Sequence, residues 1–591
     1  MKRCPECRRD YYDDTLLYCL DDGSRLLDGP ASATELAPSR AKTKLNAELD
    51  HVNVPAGSSD LDEGSPTEIL PGSKLSEALT QEMLPAAKLG DSGQIGQLRR
   101  SPKPQRILAV VLAAAIISAA GFLGYRYLTS SQQIRSVAVM PISFENGNQE
   151  MEYLSDGMTE SLIGSLSQID GLNVKARATV FRFKGREGDI TQIGKELDVQ
   201  AVLTGRMVQR GEEITLFLSL VNPSSGDNIW SKSYSRRLTN LIALQSEIAK
   251  DIADQLRKNI ARETNEKITK NYTANAEAFQ AYLRGKFHWN RYSEAGFSKA
   301  IEHFNEAIRI DPNYALAYSG LADSHTLLAV EAQRNPHEVM PQAKIFADRA
   351  VTLDAELSEG YASLGMYHIF YSFDWAAAEA AFNRAIEINP KNQDARHFRS
   401  HFLQGMGRND EALQEIKAAL ESDPLSLIVN TELGWAHYYA RDYEQAISIL
   451  HRTRDLDPSF FVLYLPLAQA HMQRKEYDEA ISELKKAEEL SEGHPWIVAE
   501  LACAYALSGK KAEAKQILEK LAAPGDRFVE PYLIANVHIA LGDRDKGIEW
   551  LDKAYTARSN WLLWAKTEPK LDPVRGDARF ANILKKMGLP E

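Results

Sequence analysis

Three cysteines near the start of the chain have the spacing of metal ligands. Cys4 and Cys7 are separated by two residues, and Cys19 follows within the string YCLDDG, where Asp22 holds the place of a fourth ligand. Two such turns can arrange four ligands tetrahedrally around one Zn²⁺ ion, and a carboxylate oxygen can be one of the four. The sequence therefore predicts one zinc ion bound by Cys4, Cys7, Cys19 and Asp22. Because the protein fills every position, the role of this ion would be structural.

The alternative for residues 1–28 is a metal-free module held together by its apolar side chains, Tyr11, Leu16, Leu17 and Leu26. Its five basic and seven acidic side chains do not favour a phosphate-binding role. With CPEC, YYDD, YC and DDG, the module resembles the small zinc-ribbon-like segments that head many bacterial kinases and membrane proteins. The resemblance implies an interaction or structural module and assigns no reaction.

The rest of the chain must contain several independently packed units, because 591 residues exceed what one hydrophobic core supports. A formal net charge of -12 disfavours a protein that mainly binds nucleic acid, and no nucleic-acid partner is expected. Residues 29–98 contain no Phe, Tyr or Trp, so this stretch buries little surface. We therefore expect a flexible linker over residues 29–106.

Residues 107–125 form an uncharged apolar run of 19 residues, which is long enough for a transmembrane helix. Basic residues are denser before this run than after it, which favours a cytoplasmic amino terminus. The sequence thus predicts a single-pass protein of the bacterial inner membrane, with the residues after the helix, including the repeats, outside the cytoplasm. A cytoplasmic position for the remainder is the alternative. The basic residues are Arg99, Arg100, Lys103 and Arg106 before the run, and Arg126 and Arg135 after it.

Residues 136–260 alternate strand and helix patterns and then continue as three β-rich runs, which predicts an α/β domain with a mixed sheet. Asp156 or Thr159 is expected to cap the first helix. The strings VAVMPISFENGN, YLSDGMTESLIGSL and IGKELDVQAVLTGRM resemble the amino-terminal domain of TolB. The resemblance implies a chain in which an output module and one membrane helix precede this domain and tetratricopeptide repeats follow it. Kinase, nucleotide cyclase and P-loop motifs are missing from the sequence.

From residue 274 to residue 591 small residues recur with a fixed period. Five alanines follow one another at intervals of 34 residues, and Gly547 comes 33 residues after the last of them. A period of 34 with this pattern resembles the tetratricopeptide repeat (TPR), a pair of helices that stacks on its neighbours. We expect about eight such pairs and a C-terminal cap. The five alanines are Ala378, Ala412, Ala446, Ala480 and Ala514.

Together these observations predict a multidomain protein with a zinc-ribbon-like head, one transmembrane helix, an α/β domain and an all-α TPR solenoid. Its function would be that of a protein-binding scaffold or sensor rather than an enzyme, because such solenoids take peptides or helices on their concave face. Two alternatives stay open: an enzyme or enzyme accessory with a site in the α/β domain, and a cytoplasmic assembly platform. Helix position suggests His397, Arg399, Asn430 and Gln469 as partner-binding residues. The other repeat histidines and the tryptophans are interpreted as packing residues.

Overall fold

The computed structural model describes residues 134–145, 151–186, 189–256, 268–331, 334–523 and 528–589, together with three short strands near the amino terminus. The chain divides into two units, residues 1–103 and residues 104–591. In the first unit, strands β1 (Lys2–Arg3), β2 (Asp10–Tyr11) and β3 (Leu27–Asp28) form an antiparallel sheet in the order β2-β1-β3. The predicted zinc ligands Cys4, Cys7, Cys19 and Asp22 lie outside the described residues.

The second unit begins with an α/β domain whose sheet is mixed, as predicted. Its strand order is β6-β4-β7-β8-β9, with β5 paired to β7. Strand β4 runs parallel to β6 and β7, whereas β7, β8 and β9 form an antiparallel meander. The strands are β4 Ser136–Val139, β5 Ser143–Glu145, β6 Asn173–Val174, β7 Ala201–Arg210, β8 Glu213–Val221 and β9 Asn228–Arg237.

Four helices accompany this sheet: α1 (Glu152–Ser167), α2 (Arg177–Phe181), α3 (Ile190–Glu196) and α4 (Leu241–Leu256). In α4 the buried residues follow helical spacing, which explains why its apolar face packs against the domain core. The predicted cap of α1 is wrong. Asp156 and Thr159 lie inside the helix, where Asp156 forms an ion pair with Lys184 and the Thr159 hydroxyl accepts a hydrogen bond from the Ile142 amide.

The remainder of the described chain is a solenoid with eight helix pairs within residues 276–556. The pairs are α5 Ala276–Trp289 and α6 Glu294–Ile310; α7 Ala315–Val330 and α8 Pro336–Leu353; α9 Ser358–Tyr367 and α10 Trp375–Ile388; α11 Gln393–Gly405 and α12 Asn409–Ser422; α13 Leu427–Tyr439 and α14 Tyr443–Leu456; α15 Tyr464–Gln473 and α16 Tyr477–Leu490; α17 Pro495–Leu507 and α18 Lys511–Ala522; α19 Pro531–Leu541 and α20 Arg544–Thr556.

Small residues let the two helices of a pair approach each other. The five alanines of the 34-residue register are all fully buried. Gly434 shows how tight this contact is, because a Cβ atom there would lie 2.5 Å from the Cγ atom of Leu450 on the partner helix. The small residues that recur in the sequence are therefore the residues that are buried where helices pack together.

Polar contacts join the α/β domain to the loops between helix pairs. The Lys391 ammonium donates hydrogen bonds to the carbonyl oxygens of Ile169 and Leu172, at 2.7 and 3.1 Å. In α1, Glu160 lies 3.1 Å from the Lys286 ammonium in α5. The α/β domain is thus fixed to the first pair and to the turn before the fourth.

Contacts between residues far apart in sequence also join early and late helix pairs. The Trp375 indole in the third pair donates a hydrogen bond to the carbonyl oxygen of Met587, at 2.8 Å. His494 Nε2, just before α17, lies 3.1 Å from the carbonyl oxygen of Glu331 at the end of α7. The second and third pairs therefore contact elements beyond the sixth pair.

None of the helices in the part of the chain that the structure describes could span a bilayer. The longest of them, α8, has 18 residues, and four of these are charged: Glu338, Lys344, Asp348 and Arg349. A span needs roughly 20 predominantly apolar residues. This finding overturns the predicted localisation as a single-pass inner-membrane protein with extracytoplasmic repeats. Residues 107–125, from which that localisation was derived, lie outside the described residues.

Candidate functional site

The inner surface of the solenoid is lined by the first helix of each pair, and the chain covers part of this surface itself. Residues 559–574, here called the C-terminal segment, form the 3₁₀ turns Asn560–Trp564 and Pro569–Val574. Leu562, Leu563 and Leu571 of this segment are fully buried. The segment is followed by helix α21 (Ala578–Lys586). It occupies the face on which TPR proteins commonly hold a peptide.

Aromatic rings provide much of the contact between the segment and the helices. The Trp564 ring stacks on Tyr439 of α13, with 5.8 Å between ring centroids and an interplanar angle of 4°. Trp561 meets Trp496 of α17 edge to face at 5.3 Å and Trp435 of α13 at 6.4 Å. Such pairs stabilise by about 0.5–1.5 kcal/mol each beyond the area that they bury. The two tryptophans are therefore the anchors of the segment.

Charged and polar groups fix the second half of the segment. The Tyr438 hydroxyl donates a hydrogen bond to Glu568 Oε1 at 2.5 Å, and Arg441 donates two to the Asp572 carboxylate at 2.6 and 2.7 Å. The Lys570 ammonium is bonded to the Glu500 carboxylate on α17. Burial by itself would lower the pKa of Lys570. The negative charges of Glu500 and Glu568 have the larger, opposite effect, so the pKa of Lys570 is above its ordinary value. Lys570 is therefore charged in this buried site.

A cavity of about 80 Å³ lies beside the two anchors, between the segment and helices α11 and α13. Phe, Tyr and Trp side chains are the largest group in its wall, and two imidazoles and one carboxylate form a polar corner. Gln404 also lines it, and both polar atoms of its buried amide are without a hydrogen-bond partner. The aromatic lining residues include Phe370, Phe398, Trp435, Tyr439, Trp561 and Trp564.

His397 and His401 of α11 converge on Glu432 of α13 in this polar corner. His401 Nε2 lies 2.7 Å from Glu432 Oε2, and His397 Nε2 lies 3.3 Å from Glu432 Oε1. Burial raises the pKa of Glu432, but the two imidazoles outweigh it and bring the pKa to about 2. Burial also lowers the pKa of His401. Glu331 lies on another part of the wall, where burial raises its pKa to about 7 although the Tyr292 hydroxyl donates a hydrogen bond to it and the charge of His397 lowers the pKa.

The four residues predicted to bind a partner fall into two groups. His397 lines the cavity, and Gln469 lies beside it on the inner surface, where it accepts a hydrogen bond from the Trp435 indole at 3.1 Å. Arg399 is paired with Glu415 of α12, and Asn430 donates to the carbonyl oxygens of Pro424 and Ser426. Their partner-binding role stays a prediction.

Sequence reasoning missed His401, Glu432, Trp561 and Trp564 as members of one site. The spacing of His397 and His401, four residues apart on a helix, was a usable signal, because such residues share a helix face. The two tryptophans gave no comparable signal, since the residues that they contact are distant in sequence.

Family comparisons match the two parts of the second unit separately. Residues 132–251 match the second domain of HilA/YgeH-like transcriptional regulators. Residues 370–428, 431–495, 472–527 and 532–560 match tetratricopeptide repeat families. The solenoid is thus built of TPR units. The comparison for the α/β domain points to the HilA/YgeH-like regulators and does not show the expected likeness to TolB.

Two curated relatives and one solved structure illustrate these similarities. A Rhizobium meliloti (strain 1021) protein provisionally named adenylate cyclase 3 is 28% identical over 32% of this chain and 32% of its own length. The transcriptional regulator HilA of Salmonella typhimurium is 25% identical over 29% of this chain and 31% of its own. The chain thus spans about a third of the length of these relatives. A thermophilic TPR protein of Thermus thermophilus is 22% identical, covering 34% of this chain and 98% of its own, with a TM-score of 0.27.

Proposed function

We propose that this protein is a non-enzymatic scaffold whose TPR solenoid binds a segment of a partner protein. One observation carries the proposal: the inner surface of the solenoid already holds a segment of 3₁₀ turns, the chain's own residues 559–574. The surface is therefore equipped to recognise a short segment through side-chain pockets. The TPR family matches support the same class of function.

The contacts of the C-terminal segment indicate what a partner would carry. Trp561 and Trp564 sit in pockets shielded from water, which is where the strongest contributions to binding are usually found. Tyr438 and Arg441 bind the carboxylates of Glu568 and Asp572, and the two-point Arg441 contact fixes register as well as charge. We propose a partner segment with paired aromatic residues followed by acidic ones.

Such a partner must compete with the C-terminal segment. Because that segment belongs to the same chain, its effective concentration at the surface is high, of millimolar order for short connections. A partner segment therefore binds only when it replaces contacts that the protein makes with itself. Weakening the two anchors should expose the surface.

The test uses a fluorescein-labelled peptide with the sequence of residues 557–576 and measures its binding by fluorescence anisotropy. We expect weak binding to the wild-type chain and stronger binding to the Trp561→Ala/Trp564→Ala variant. Lys485→Glu, which changes an exposed residue of α16, is the matched control and should behave as wild type. A peptide with both tryptophans replaced by alanine should not bind. If the double variant keeps its helical circular dichroism and binds the peptide no better than wild type, the proposal fails.

The α/β domain is proposed as the base that holds the solenoid in one arrangement. Its support is the set of contacts made by Glu160, Lys286 and Lys391 between the domain and the helix pairs.

HilA is named a transcriptional regulator, and the matched domain is the second domain of such proteins. By this similarity we propose a regulatory role for the domain in this chain, with its TolB-like sequence pattern as a second resemblance. The head is proposed to bind one structural zinc ion through Cys4, Cys7, Cys19 and Asp22.

A further inference from the structure

Two imidazoles and one carboxylate meet at the polar corner of the cavity. His397 and His401 lie one helical turn apart on α11, so their rings project from the same face. Glu432 reaches them from α13 and is 3% exposed. One nitrogen or oxygen atom from each of the three residues lies within 4.8 Å of the other two. Two histidines with a glutamate are a donor set that proteins use for Zn²⁺.

We infer that His397, His401 and Glu432 form a binding site for a divalent transition metal ion such as Zn²⁺. With bonds of about 2.0–2.2 Å in tetrahedral geometry, ligand atoms lie roughly 3.3–3.6 Å apart. His397 Nε2 lies 3.3 Å from Glu432 Oε1 and His401 Nε2 lies 2.7 Å from Glu432 Oε2, and ligand atoms of all three residues lie within 4.8 Å of one another, so rotation of these side chains would bring them to that spacing. An ion between the three residues would replace the direct hydrogen bond between His401 and Glu432.

The cavity supplies a second observation that points to a ligand at this place. Gln404 lies one turn beyond His401 on the same face of α11, is fully buried, and leaves both amide atoms unpartnered. The indole nitrogens of Trp561 and Trp564, also in the cavity wall, are buried without a partner. Buried polar groups normally have a hydrogen-bond partner, so several in one cavity are unusual. A water molecule bound to the metal at its fourth position would have polar partners within this cavity.

The charges in the cavity wall allow a cation to bind. Glu432 and Glu331 are the acidic residues of the wall, and no lysine or arginine lines the described cavity. The site carries three protein ligands, which leaves one coordination position for water or a small oxygen ligand. The volume of about 80 Å³ is enough for a few water molecules. Metal binding at this site does not require a partner protein.

The test is a Co²⁺ titration of the full chain, with Cys4→Ser, Cys7→Ser and Cys19→Ser introduced so that no thiolate of the head contributes. We expect one Co²⁺ ion per chain, with the visible absorption of a four- or five-coordinate site, and its loss on addition of one equivalent of Zn²⁺. Glu432→Gln and His401→Gln should each weaken binding by at least about tenfold, because even residues that only support a metal ligand have effects of that size. His437→Gln, a change to a histidine of α13 that lies near Asp442, is the control and should leave binding unchanged.

A second measurement covers the case in which a variant folds poorly. Zn²⁺ that binds the folded chain raises its melting temperature in a concentration-dependent way. We expect this rise in the cysteine-free chain and in His437→Gln, and its loss in Glu432→Gln. Absence of stoichiometric Co²⁺ in the cysteine-free chain would overturn the inference. So would binding that Glu432→Gln and His401→Gln leave unchanged.

Discussion

Gly405, the last residue of α11, lies directly under the C-terminal segment. A Cβ atom at this position would be 2.5 Å from the carbonyl oxygen of Leu563 and 2.9 Å from its Cδ1 atom. Ordinary carbon–oxygen contacts are about 3.3–3.6 Å, so the carbonyl would have to move by close to 1 Å. That carbonyl belongs to the buried turn that carries Trp561 and Trp564, and the turn cannot move without disturbing both rings.

We therefore expect Gly405→Ala to destabilise the protein by about 1–3 kcal/mol, the usual cost of overpacking a buried contact. The helix propensity of alanine offsets part of this, by at most about 1 kcal/mol. The matched control is Gly164→Ala in α1, where no atom other than the adjacent residues and the helix's own backbone lies within 4 Å of the added Cβ. There only the propensity gain applies, and the change should be neutral or stabilising.

Urea unfolding followed by tryptophan fluorescence compares the two variants with wild type. Limited proteolysis adds a local readout, because a loosened C-terminal segment should be cut earlier than in wild type. If Gly405→Ala unfolds at the wild-type urea concentration and resists protease equally, then Leu563 does not lie against α11 as described. The contacts assigned to the C-terminal segment would then be wrong.

Three further predictions concern other parts of the chain. Glu530 is fully buried beside Ser559, and burial raises its pKa to about 7, so the folded state holds a proton more tightly than the unfolded state does. The stability that this group contributes is present below about pH 4.5 and is lost as the pH rises towards 7. The free energy of unfolding of Glu530→Gln, which cannot ionise, should therefore increase relative to that of wild type by about 2 kcal/mol from pH 5 to pH 8. Chemical denaturation at each pH measures this difference. Ala446→Leu should lower the melting temperature, because it adds volume at a fully buried crossing of α13 and α14. The control Lys485→Glu, on the exposed face of α16, should not change it. Equal melting temperatures for the two variants would contradict the packing described. The head should contain one zinc ion per chain by metal analysis, and Cys7→Ser should reduce this; zinc content unaffected by that change would indicate a metal-free module.

The parts of the fold that follow local periodicity were predictable from the sequence. The 34-residue spacing of Ala378 to Ala514 predicted the register of the helix pairs, because small residues mark the helix crossings. The mixed sheet followed from alternating strand and helix patterns, although the cap assigned to Asp156 was wrong. Asp156 instead pairs with Lys184, 28 residues away, and no local pattern records such a contact.

The candidate site was harder to predict because its residues come from distant segments. Tyr438 and Glu568 are 130 residues apart, and the cavity needs the C-terminal segment as one wall. Periodicity identifies the face of a helix but not the segment that covers it. The tryptophans of the segment could therefore be recognised as packing residues without any indication of what they pack against.

The contacts of Trp375 with Met587 and of His494 with Glu331 also limit how this solenoid can change in length. An open array of repeats can gain or lose a unit by duplication or deletion, since each unit touches only its neighbours. Here an added pair between the third and the seventh would separate both sets of contacts and detach the C-terminal segment from the surface that it covers. The number of repeats in this region is therefore set by closure of the chain on itself, and genetic duplication of a single unit would disrupt the protein rather than extend it.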